Sequence, residues 1–168
     1  VAGCSTGEEA YSIAISLMEF LEERDLDFPI QVFASDLDEL AIEKARLGIF
    51  AMTAVQGVQL NLLKKYFKRI DGYYQINKAV RELCVFSQQN LLKDPPFSRL
   101  DLISCQNVLI YLETNPQARI LQTFHYALKG SGFLFLGKSE SIGASSELFE
   151  QLDKKIKVFS REATASPQ

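Results

Sequence analysis

Five residues near the start of the chain constrain its fold more than any others. Gly3-Cys4-Ser5-Thr6-Gly7 is followed by Glu8, Glu9 and then Ala10 to Glu23, where Ile13, Ile15, Leu17, Met18 and Leu21 recur largely at helical spacing. Ser5 and Thr6 are placed to cap that helix, and two acids in its first turn suit the positive end of its dipole. Ile30-Gln31-Val32-Phe33-Ala34-Ser35-Asp36 reads as a short apolar strand ending in an acid, and Asp38 to Leu47 as a helix stopped at Gly48. Such a turn–helix–strand–helix series predicts a parallel α/β sheet with crossover helices. Only Val1 and Ala2 precede the turn. The first strand is therefore expected to be truncated, and the chain to be cut from a longer protein.

The middle of the chain breaks the alternation. Gln59 to Arg69 carries Leu60, Leu62, Leu63, Tyr66 and Phe67 at helical spacing, and Tyr73–Ile76 with Ala79–Arg81 reads as a small hairpin. Residues 52–82 are expected to be an inserted subdomain beside the main sheet. Leu83 to Ser87 resumes the sheet, Leu100 to Cys105 is a buried strand, and Gln117 to Leu128 a helix ended by Gly130 and Gly132. Phe133 to Gly137 is a further buried strand, Lys155 to Ser160 a more polar last one, and residues 163–168 a tail or linker. Residues 1–162 then form one domain, which 168 residues at 47% hydrophobic content can support.

Charge and cysteine usage exclude several function classes. A net charge of −3 leaves no broad basic face for a nucleic-acid backbone. Cys4, Cys84 and Cys105 are scattered and odd in number, which fits a reducing compartment, not a disulfide framework. One histidine and no close cysteine pair argue against a zinc site, so no metal is expected. No apolar run approaches the roughly 20 residues of a membrane span, and no signal peptide is recognisable.

Three constellations could carry chemistry. A glycine turn between strand and helix lets a ligand approach the backbone, and an acid ending the second strand, Asp36, can accept hydrogen bonds from a ribose. The turn lacks the G-x-G-x-x-G pattern, so an ordinary tight turn with an exposed acid explains these features equally well. The same residues satisfy G-x-S-x-G, the nucleophile elbow, and Ser5…Asp101…His125 even has the chain order of a serine hydrolase. His125, however, lies inside an apparent helix, and a nucleophile elbow is expected on a strand that follows several others. Asp94-Pro95-Pro96-Phe97 looks like the loop with which amino-group methyltransferases hold a flipped base, but such a loop follows the fourth strand, whereas this one precedes the strand Leu100 to Cys105 and reads better as a turn.

Taken together, the residues resemble the CheR family of chemotaxis receptor methyltransferases over nearly the whole chain. The motifs are Ala2–Ser12, Phe33–Asp38 with Glu43–Phe50, Asn90-Leu91-Leu92, Cys105–Tyr111 (similar to C-R-N-x-x-I-Y) and Leu136–Ser141. The Pro-Pro turn and Ser139–Gly143 resemble members fused to methylesterase and sensor domains. The resemblance implies a Rossmann-like methyltransferase sheet with helices on both faces and a small inserted helix-hairpin subdomain. It implies S-adenosylmethionine as cofactor, S-adenosylhomocysteine as product, and methylation of glutamate side chains on the cytoplasmic domain of a chemoreceptor, in the cytoplasm. It places Gly3 and Glu9 at the cofactor turn, Asp36 on the ribose, Asn90 and Leu91 beside the adenine, Cys105 and Gln106 beside the methionine portion, and Tyr111 facing the transferred methyl. Gln106 and Tyr111 are thereby the residues expected in catalysis.

Three departures qualify that expectation. Gln106 stands where the family has arginine, which removes a fixed charge. The upstream helical domain of the family, another source of arginine, lies outside the sequence. The expected hairpin is too short to grip a receptor-tail peptide. The competing reading is a degenerate module that binds cofactor or partner without transferring methyl groups.

Overall fold

The computed structural model describes residues 1–163, and the expected tail from 164 onward lies outside the described residues. The chain divides into two compact units: residues 4–88, and residues 1–3 with those from Gln89 on.

In the first unit, helix α1 (Glu8–Glu23) buries Ala10, Tyr11, Ala14 and Ile15; of the residues read at helical spacing only Ile15 is buried, and Leu17 is exposed. Strand β1 (Val32–Asp36) leads to α2 (Glu39–Leu47). The Asp38 carboxylate caps α2 through the Leu40 and Ala41 N–H groups, and Gly48 ends it in the left-handed conformation. Tyr11 anchors this packing. Its hydroxyl donates to the Ala45 carbonyl at 2.5 Å, and its ring meets Phe50 and Phe86 edge-on.

The segment that follows differs from expectation. Strand β2 (Ile49–Ala51), helix α3 (Leu60–Tyr66), strands β3 (Phe67–Ile70) and β4 (Tyr73–Ile76) and helix α4 (Lys78–Arg81) alternate here. The hairpin is β3–β4, closed over Asp71-Gly72, and residues 79–81 are helical. The helix read over Gln59–Arg69 stops at Tyr66, because pairing of Phe67 with Ile76 outweighs helical spacing. With β2 paired to β4, the result is a three-stranded antiparallel sheet larger than the expected hairpin. Strand β5 (Cys84–Gln88) returns to pair in parallel with β1, Ala34 opposite Phe86.

In the second unit, β6 (Leu100–Cys105) and β7 (Leu128–Leu136) are parallel and joined by helix α5 (Thr114–Ala127). Ala2 adds a single parallel bridge to Cys105. β7 runs through Gly130 and Gly132, which were expected to punctuate the helix end; the helix gives way directly to strand at Leu128. β8 (Phe149–Asp153) and β9 (Val158–Arg161) complete the order β6-β7-β9-β8, the last strand inserted antiparallel between its neighbours. The core of this unit gathers Ile103, Leu121, Phe124, Leu134, Phe149 and Phe159. Among the described residues, no helix is long and apolar enough to cross a membrane.

Candidate functional site

The glycine turn and the strand-end acid, 29 residues apart from Gly7 to Asp36, are bonded to each other. Asp36 Oδ2 accepts the Ser5 N–H at 2.8 Å, and Oδ1 accepts the Asp38 N–H at 3.0 Å. The Cys4 N–H donates to the Ser35 carbonyl at 2.9 Å, which ties turn to strand through the main chain as well. Ser5 adopts φ +48°, a left-handed conformation that turns its N–H toward the carboxylate.

Ser5 and Thr6 therefore do not cap α1. The N-cap is Gly7 at φ +95°, where a Cβ would stand 3.0 Å from that of Ala45. The Thr6 hydroxyl donates to the Glu8 carboxylate at 2.6 Å instead. Glu9 is half-buried in the first turn of α1. Burial, reinforced by the Asp36 charge, pushes the Cys4 thiol up to about 12, so it is no nucleophile at neutral pH.

Asp36 is half-buried, with one amide on each oxygen. A carboxylate offers about four acceptor positions. Those left over suit a pair of adjacent hydroxyls.

The other expected residues lie in the second unit. Cys105 is fully buried in its core and exposes no surface. Gln106 is half-buried, with Nε2 at 3.4 Å from the Ser104 hydroxyl. Tyr111 is 80% exposed, which excludes a role as a core aromatic. It closes a short 3-10 turn, Leu109–Tyr111, held from α5 by Gln117, whose Nε2 donates to the Leu109 and Leu112 carbonyls at 2.7 and 2.9 Å. Gly3 is required for packing, since a Cβ there would lie 2.3 Å from Val108 Cγ2.

Asn90 starts a tight turn. Its side-chain oxygen accepts the Leu92 N–H at 3.0 Å, and its own N–H donates to the Asp94 carboxylate at 2.7 Å. That bond explains Asp94 in the Asp-Pro-Pro-Phe sequence as a turn residue. Leu91 lines a cleft of about 350 Å³ with Leu92, Pro96, Arg119 and Tyr126, which does not include Asn90, Gln106 or Tyr111.

A serine-hydrolase triad does not form. His125 is buried, Nε2 lies 2.8 Å from the Glu162 carbonyl, and the ring packs edge-on against Phe149. Asp101 is paired with Lys129 at 2.9 Å. Gln117 and Glu140 escaped the sequence reading as site residues. Gln117 had no local signal. Glu140 sat in a recognised motif, but as an apparently ordinary loop acid.

Comparison with known proteins gives a consistent result. The family model described as CheR methyltransferase, SAM binding domain, matches residues 1–158. Chemotaxis protein methyltransferase 2 of Vibrio cholerae is 38% identical over 153 residues, 87% of this chain and 52% of that protein. The chemotaxis protein methyltransferase of Escherichia coli is 33% identical over 170 residues, 96% of this chain and 58% of that protein. An uncharacterized 104.1 kDa protein from the hypE 3′ region of Rhodobacter capsulatus is 37% identical over 94% of this chain, which spans 17% of its length. The chain thus spans about half or less of the length of these relatives. Among solved structures, a TehB-like SAM-dependent methyltransferase from Corynebacterium glutamicum superposes with a TM-score of 0.54 at 16% identity, covering 96% of this chain and 78% of that one. The fold is accordingly the Rossmann-like α/β fold of SAM-dependent methyltransferases.

Proposed function

The chain belongs to the CheR methyltransferase family, and on that premise we propose that it is the catalytic part of a protein-glutamate O-methyltransferase acting on the cytoplasmic domain of a chemoreceptor. The observation that carries the reading is the Asp36 constellation, in which the turn and the acid form one bonded unit. Its donor set fits the cofactor S-adenosylmethionine. Asp36 retains acceptor positions for the ribose hydroxyls, and the positive end of α1 lies next to the turn.

On this reading Gly3 and Glu9 line the cofactor turn, Asn90 and Leu91 flank the adenine, and Cys105 with Gln106 borders the methionine portion. Tyr111, exposed and held by Gln117, is free to meet the acceptor. When bound, the cofactor supplies an activated methyl group. The acceptor carboxylate is already ionised at neutral pH, so the protein needs no strong general base. Its residues contribute alignment and hydrogen-bond donors that fix the carboxylate. Gln106 is one such donor, although it lacks the charge of arginine.

The chain spans only part of its relatives' length, and on the same reading an upstream helical domain and further fused domains complete an enzyme that acts in the cytoplasm. The test is incorporation of radiolabelled methyl groups into a receptor cytoplasmic domain by the full-length protein. Base-labile label on glutamate is expected. Cofactor binding without transfer would favour a non-catalytic module instead.

A further inference from the structure

Glu140 is only 3% exposed, yet it belongs to none of the constellations above. Its Oε1 accepts the Val108 N–H at 2.9 Å, while Oε2 is buried with no hydrogen-bond partner among the described residues. A buried carboxyl with an orphaned oxygen is costly and calls for a reason. Burial pushes the Glu140 carboxyl up, and the main-chain amides of Val108, Asn107 and Gly137 oppose that shift.

Those amides belong to two turns that pack on each other. Glu140 closes the first by donating its own N–H to the Gly137 carbonyl at 3.0 Å. A Cβ on Gly137 would stand 3.4 Å from Asn107 N and 3.5 Å from Gln106 Cα. The second turn contains Asn107 at φ +58°, a conformation asparagine tolerates but does not prefer. Val108, bonded to Glu140 through its N–H, packs its side chain on Gly3.

We infer that Glu140 is a positioning residue: its carboxylate holds the Gln106–Val108 backbone in the left-handed turn that sets Gln106 and seats Val108 on Gly3. The inference rests on the reading of Gln106 and Gly3 as cofactor-side residues. It identifies a site residue that touches no substrate and acts through its neighbours.

The test compares wild type, Glu140→Gln and Glu140→Ala by three readouts: S-adenosylhomocysteine affinity from titration calorimetry, Tm, and the shift and exchange rate of the Val108 amide proton by NMR. Glu140→Ala is expected to expose the Val108 amide and to weaken binding on the order of ten-fold. Glu140→Gln keeps an acceptor, so amide protection and most of the affinity should survive. A lower Tm with a protected Val108 amide and unchanged affinity would mean that Glu140 serves stability alone, and would overturn the proposal. Should Glu140→Ala fail to fold, Glu140→Gln decides: a protected amide with retained affinity supports the role, and an exposed amide with unchanged affinity refutes it. Wild type that does not bind S-adenosylhomocysteine would remove the cofactor reading, while the Val108 amide would still report whether Glu140 holds the turn.

Discussion

Glu140 carries a consequence for stability because its environment differs so much between folded and unfolded chain. Burial pushes its carboxyl up, so the folded protein keeps the proton to higher pH than the unfolded chain does. Stability from the protonated form is complete below the ordinary carboxylate range and falls as pH rises through the raised value. Glu140→Gln is neutral throughout and lacks that decline. Urea melts between about pH 4 and about pH 7 should show the stability difference moving in favour of the variant as pH rises. A difference constant with pH would show that the group titrates normally. Asp36 and Glu140 also mark the limits of reading single residues. Asp36 was visible in the sequence because it ends an apolar strand after a glycine turn. The role of Glu140 was not, because its partner is a main-chain N–H 32 residues away in sequence.

Elements with a one-sided apolar pattern were legible; those defined by pairing were not. α1, α2 and β6 follow from spacing, capping and the apolar residues Leu100, Leu102, Ile103 and Cys105. β3 was hidden because Phe67 continues a helical pattern until cross-strand pairing with Ile76 claims it. β8 was missed since only Phe149 of its five residues is buried, leaving no alternation to detect. The start of α2 offers a test at this scale. Asp38 accepts two N–H groups of the first turn, at 2.9 and 3.4 Å. Asp38→Ala should destabilise the protein by about 1 kcal/mol, seen as a lower urea midpoint with an unchanged slope. A loss below about 0.3 kcal/mol would mean that solvent replaces the cap at little cost.

For the whole molecule, fold and cofactor class were legible because five motifs occur in family order. The placement of side chains was less so. Cys105 proved to be core, Tyr111 surface, and Gly3 packed against Val108. Activity should depend on charge that this chain supplies sparingly. On the proposed reading, an acceptor carboxylate that meets the acids of the cofactor turn needs a compensating cation, and Gln106 would offer only an amide. In the full-length protein, Gln106→Arg should raise methyl transfer by about 10²-fold while leaving S-adenosylhomocysteine affinity nearly unchanged. Equal rates would make Gln106 a harmless substitution.

The central claim is that the Asp36 constellation holds the cofactor, and titration calorimetry of S-adenosylhomocysteine tests it most directly. Wild type should bind, and Asp36→Ala should lose about ten-fold or more in affinity, since each charge-assisted hydrogen bond contributes about 1.5–3 kcal/mol. Asp36→Asn, which keeps one acceptor oxygen, should fall between the two. Equal affinity in wild type and a folded Asp36→Ala variant, or no binding by wild type, would contradict the account.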